Sequence, residues 1–174
     1  MNRRDVILTG LAATTLAACS PAVEEPMNSD ETELAPGTNR DFSFTVSTSR
    51  PDAVLQLWVT PSSWSQWDKG LKSASLEDLM SLGSVGQIIP LSGPSSRFEV
   101  VAFDPKQSYA FETRLPGSIL RVERFFNAER TAFTHRVTFS GLSAGAFSRM
   151  FGPGFRAALP PTMRTLRALA EGQG

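Results

Sequence analysis

The chain is poor in the residues that carry most cross-linking and catalytic chemistry. Of its 174 residues, one is cysteine, one is histidine and one is tyrosine. A single thiol excludes an internal disulfide, so stability has to come from a packed core. A single histidine, His135, excludes metal sites built on two imidazoles and makes any Ser-His-Asp arrangement depend on that residue. A charge excess of either sign is also missing, because 17 Lys and Arg stand against 17 Asp and Glu. With no basic surplus to neutralise phosphates, nucleic acid is not an expected partner. No apolar run is long enough to span a bilayer as a helix, and no internal repeat is visible.

What is present begins at the N-terminus. Residues 1–19 read MNRRDVILTGLAATTLAAC, with a basic head at Arg3 and Arg4 and an apolar stretch over 6–16. The tetrapeptide Leu16-Ala17-Ala18-Cys19 resembles the lipobox of bacterial lipoproteins. That resemblance implies cleavage before Cys19 and lipidation of its thiol, and it accounts for the lone cysteine. An uncleaved anchor, or a plain secretory signal with a chance cysteine, would use the same residues. Arg3-Arg4-Asp5-Val6-Ile7-Leu8 also resembles the twin-arginine export motif, while many ordinary signals begin with two basic residues, so the export route stays open. Ser20 follows the cysteine where an aspartate would retain a Gram-negative lipoprotein in the inner membrane. In a Gram-negative host the periplasmic face of the outer membrane is therefore the expected location.

Beyond Cys19, residues 20–40 are rich in Pro, Glu, Ser, Thr and Asn. Such a segment buries too little surface to offset its chain entropy and reads as a disordered tether over 19–40. The remainder, 41–172, is the length of one domain. Residues 41–48 alternate Phe42, Phe44 and Val46 against Ser43, Thr45 and Ser47, the pattern of a half-buried strand. Pro51 and Asp52 then suit the first turn of a helix whose face carries Val54, Leu57 and Trp58. A second short helical turn falls over 62–66, flanked by Trp64 and Trp67.

After Gly70 the chain reads as six short strands, over 71–76, 85–91, 97–104, 108–115, 119–128 and 130–140. They are separated by turn residues such as Ser92-Gly93-Pro94 and Pro116-Gly117. Connections this short predict antiparallel neighbours. From Leu142 the period lengthens, and Phe147, Phe151, Phe155, Leu159, Met163, Leu166 and Ala170 recur at helical spacing. This predicts an amphipathic C-terminal helix that buries Phe151 and Phe155 against the sheet. Gly152-Pro153-Gly154 predicts a break, and Pro160-Pro161 a kink.

This order of elements resembles the helix-grip fold of the START/polyketide-cyclase (SRPBCC) superfamily. The residues carrying the likeness are Pro51-Asp52-Ala53-Val54 with Leu57-Trp58, and Trp64-Ser65-Gln66-Trp67-Asp68. Further on they are 111–117 (FETRLPG), Thr134-His135-Arg136-Val137 with Ser140-Gly141, and 159–166 (LPPTMRTL). The resemblance implies an α+β fold: a seven-stranded antiparallel curved sheet wrapped around a long, kinked C-terminal helix, with two short helices after the first strand. Members of the superfamily include lipid carriers, receptors, cyclases and hydroxylase subunits, so the fold leaves the function open.

The candidate site residues follow from which way each strand faces. His135 alternates with Phe133, Val137 and Phe139, so it is a polar group on an apolar face. A core histidine bonded to a neighbour is the commoner arrangement, and a ligand contact or an acid–base role are the alternatives. Arg124 shares a face with Leu120, Val122 and Phe126. Directed inward, it needs a partner such as a ligand carboxylate or a glutamate. The commoner alternative is a surface charge ladder with Glu112, Arg114 and Arg136. Tyr109 and Phe111 point with Thr113, toward the interior. Trp67 reads as a brace for the helix pair.

Phe151, Phe155 and Met163 are core residues that, in a helix-grip fold, would also roof a cavity. Asp68, Glu77 and Asp78 read as a solvated loop, and no metal or cofactor is expected. The leading reading is an envelope lipoprotein that binds a small hydrophobic or amphipathic ligand. It would use Tyr109, Phe111, Arg124, His135, Phe151, Phe155 and Met163, with the membrane reached through lipidated Cys19. The alternatives are a cyclase- or aldolase-like enzyme with His135 as acid–base, and a ligand-free structural domain.

Overall fold

A computed structural model describes residues 30–33 and 38–172. The leader, the proposed lipidation residue Cys19 and most of the expected tether lie outside the described residues. Two strands, β1 (Glu31–Glu33) and β2 (Asp41–Ser47), come first. Helix α1 (Pro51–Val59), a single 3-10 turn over Pro61–Ser63 and the short helix α2 (Trp64–Trp67) follow. Next come β3 (Leu71–Leu76), β4 (Val85–Pro90), β5 (Ser96–Asp104), β6 (Ser108–Leu115), β7 (Ser118–Phe126) and β8 (Ala132–Gly141). Helix α3 (Ala144–Ala170) ends the domain.

The strands form one antiparallel sheet in the order β1-β2-β8-β7-β6-β5-β4-β3. The meander β3 to β8 follows from the short turns, and β2 pairs with β8, which places the first long strand beside the last. Register sets the interior row by row. Phe44 stands opposite His135, His135 opposite Arg124, Arg124 opposite Tyr109, and Tyr109 opposite Phe103. One row along, Phe42, Val137, Val122 and Phe111 are aligned in the same way. Because side chains alternate across a strand, these rows share the concave face. That face is closed by Trp58 of α1, Trp64 and Trp67 of α2, and Met163 and Leu166 of α3, all fully buried. The result is the α+β helix-grip architecture.

Three details depart from the sequence reading. The sheet has eight strands rather than seven, because Glu31–Glu33 of the expected tether pairs with β2, with Thr32 opposite Thr45. That segment has little apolar surface to bury. Its anchor is electrostatic: Glu31 is buried and accepts hydrogen bonds from Arg164 of α3 at 2.8–3.0 Å, with Arg167 at 3.7 Å. The second departure is that α3 runs unbroken through Gly152-Pro153-Gly154, where a break was expected; Pro160 and Pro161 also lie inside the helix. The prolines release the carbonyls of Arg149, Arg156 and Ala157, which belong to exposed or half-exposed residues, so water can satisfy them. Gly152 is used for close approach, since a Cβ there would lie 2.2 Å from the Asn39 carbonyl oxygen.

The third departure concerns Phe151 and Phe155, which remain 43% and 44% exposed. The buried face of the first half of α3 is made by Ala144, Ser148 and Gly152. Contact at Gly152 turns the helix so that the phenyl rings lie on its flank. Phe147 stacks on Phe151 at 6.0 Å, and Phe155 meets Phe139 of β8 at 6.4 Å.

Candidate functional site

One row of the concave face carries both an arginine and a histidine. Arg124, near the C-terminal end of β7, is only 2% exposed. It does not join the surface ladder, which forms without it. On the outer face Arg121 reaches Glu112 at 3.0 Å and Glu123 at 3.1 Å, and Arg136 pairs with Asp41 at 2.6 Å. The guanidinium of Arg124 instead lies among four aromatic rings. Its central carbon is 4.5 Å from the ring centre of Trp64, 4.8 Å from Trp67, 5.5 Å from Tyr109 and 5.6 Å from Phe111. Cation–π attraction at such distances is worth up to about 2 kcal/mol when desolvated.

Hydrogen bonding around the guanidinium is incomplete. Its Nη1 donates to the Tyr109 hydroxyl, which in turn donates to the Trp58 carbonyl at 3.1 Å. Trp64 Nε1 donates to the same carbonyl at 2.9 Å. Burial pushes the Tyr109 phenol up to about 12 against the pull of Arg124, so the hydroxyl stays neutral. Arg124 Nε, Trp67 Nε1, Trp58 Nε1 and His135 Nδ1 are buried with no hydrogen-bond partner. An unpaired buried polar group costs about 1–3 kcal/mol.

His135 sits beside Arg124 across the β7–β8 ladder. Burial, and secondarily the Arg124 charge, hold its imidazole well below the usual value near 6.5. It is therefore neutral at physiological pH, with one nitrogen a donor and the other an acceptor. The expected neighbour bond of a core histidine is absent at Nδ1. The carboxyl of Asp68, which follows α2, feels the charge of Arg124. Its Oδ1 accepts from the Gly70 amide at 3.0 Å, and burial raises its carboxyl above the ordinary range. Among the described residues no carboxylate lies within 4 Å of the Arg124 guanidinium.

Four of the expected site residues, Tyr109, Phe111, Arg124 and His135, thus come together on adjacent strands. Met163 is buried under α3, whereas Phe151 and Phe155 lie at the exposed flank of that helix. Sequence reasoning missed the part played by Trp64 and Trp67, which enclose the arginine, and it read Asp68 as solvated. The signal was the W-x-x-W spacing, which puts both indoles on one face of a helical turn.

Solved structures of known proteins share this architecture. A hypothetical protein from Helicobacter pylori superposes with a TM-score of 0.59 at 14% identity, covering 78% of this chain and 91% of its own. StfQ, the di-domain ARO/CYC of the steffimycin biosynthetic pathway, gives 0.58 at 12% identity over 76% of this chain. The match covers 51% of StfQ, so this chain spans about half that protein. DynU16, from the dynemicin biosynthetic locus, gives 0.55 at 19% identity over 76% of this chain and 48% of its own. Likeness at these identities shows the fold alone. No family model and no curated protein matches the chain.

Proposed function

We propose that the domain binds a small apolar or amphipathic molecule between the concave sheet and α3, and that lipidated Cys19 holds it at a bacterial cell envelope. One observation carries the binding reading: buried polar atoms of Arg124, His135 and Trp67 face the interior without partners. A bound molecule that reaches them removes that cost, while the aromatic and aliphatic walls supply affinity at about 25 cal/mol per Å² of apolar surface buried. StfQ, a di-domain ARO/CYC of a biosynthetic pathway, shares this architecture, which suggests a second reading. In it His135, neutral and unpaired at Nδ1, serves as acid–base in a cyclase- or aldolase-like reaction.

One experiment separates the two readings. The native ligand is extracted from purified protein, and rebinding and turnover are compared for wild type and His135→Gln. A binding protein loses at most about tenfold in affinity, the worth of one neutral hydrogen bond, and turns nothing over. Wild-type turnover that falls a hundredfold or more in the mutant, with binding kept, establishes the enzyme instead. Protein that neither retains nor rebinds any molecule leaves the interior as a filled core. Anchoring has its own test, because two or more acyl chains give stable attachment where one gives marginal binding. Cys19→Ser is expected to leave the membrane fraction, and wild-type fractionation of that variant would remove the lipoprotein reading.

A further inference from the structure

We propose that the ligand is an anionic amphiphile, whose oxyanion head accepts hydrogen bonds from Arg124 while its apolar tail lies along β7 and β8 toward the first half of α3. This rests on the binding reading and adds the chemistry of the head and its direction. The sign of the head follows from charge. Arg124 is a buried cation among the neutral groups Tyr109, Trp64, Trp67 and His135; the acid that feels its charge, Asp68, makes no ion pair with it within 4 Å and is pushed by burial toward its neutral form. A second cation entering this site would be repelled without a counterion. The polarity of the missing hydrogen bonds agrees. Arg124 Nε and Trp67 Nε1 can only donate, so what the site lacks is an acceptor. A carboxylate supplies acceptor oxygens with a negative charge and matches the planar guanidinium. His135 serves either need, because a neutral imidazole donates from one nitrogen and accepts at the other.

The direction of the tail follows from register. Starting at the Arg124–His135 pair, the next inward pairs along β7 and β8 are Val122–Val137 and Leu120–Phe139. They form an apolar track about 13 Å long, four residues at the rise of a strand. At its far end Phe139 meets Phe155, one of the two half-exposed phenylalanines of α3. The interior therefore runs from half-exposed phenyl rings, past paired apolar residues, to a buried cation with no carboxylate within 4 Å among the described residues. That gradient suits a molecule with an apolar body and an acidic end.

The test uses the full chain and three probes with one tail: dodecanoate, 1-dodecanol and dodecyltrimethylammonium. Binding is read by the fluorescence of the tryptophans, two of which flank Arg124. Dodecanoate is expected to bind at least tenfold more tightly than the alcohol, and the ammonium to bind weakest. In Arg124→Met the carboxylate and the alcohol are expected to bind alike, with the affinity for the alcohol kept. Should Arg124→Met fail to fold, the ranking of the three heads on wild type decides by itself. Equal affinity for dodecanoate and dodecanol on wild type overturns the anionic head and leaves the binding reading standing. Failure of all three probes to bind overturns the binding reading itself.

Discussion

The two halves of α3 are alike in sequence pattern and unlike in surroundings. Residues 144–158 carry Phe147, Phe151 and Phe155, and residues 159–170 carry Leu159, Met163 and Leu166, all at helical spacing. The second set is buried, yet Phe151 and Phe155 are nearly half exposed. What differs is the surface opposite. The second half crosses β2, where the Arg164 guanidinium lies 5.9 Å over the Phe44 ring, and it is clamped by Glu31 of β1. The first half is seated on Gly152 against the backbone at Asn39, and its phenyl rings are turned to one side. A hydrophobic period tells which residues share a face of a helix. It does not tell what that face meets.

The comparison can be broken by mutation, and the largest effect belongs to the packed half. Met163→Ala removes a fully buried side chain from the core and is expected to cost about 2–5 kcal/mol in urea melts. A loss below about 1 kcal/mol would mean that α3 does not close over the sheet there. Glu31→Gln comes next. It removes charge from a buried acceptor of Arg164 while both arginines keep some access to water, so the expected cost is about 1–3 kcal/mol. No change in stability on that substitution would detach β1 from the hold on the second half. Phe155→Ala is the smallest. A ring 44% exposed, with Phe139 as its aromatic contact, is expected to cost about 1 kcal/mol, well short of the 3–5 typical of a core phenylalanine. Equal losses at Phe155 and Met163 would erase the difference between the halves.

Much of the fold was legible because strands encode their faces in a two-residue alternation. The inward set Phe133, His135, Val137, Phe139 and the apolar residues Leu120, Val122 and Phe126 of the neighbouring strand could be read directly. The side taken by Arg124 was not legible, since a strand with polar residues on both faces suits a surface ladder as well as an inward charge. Glu31–Glu33 escaped notice for a related reason. Its pairing is made by backbone and by one carboxylate meeting arginines more than 130 residues away, and neither leaves a local apolar pattern. The aromatic enclosure of Arg124 likewise joins α2 to β6 and β7, a contact between distant parts of the chain. The W-x-x-W spacing announced a shared face without naming what it covers.

The most direct test is hydrogen exchange on the full chain as purified and after solvent extraction of whatever it holds. If the concave face beneath the first half of α3 houses a ligand, extraction should speed exchange over residues 146–156 and around Leu120–Arg124 and His135–Phe139. Residues 159–170, already packed, should exchange as before. Identical exchange in both samples, with no mass lost on extraction, would contradict the proposal that this interior is a binding site.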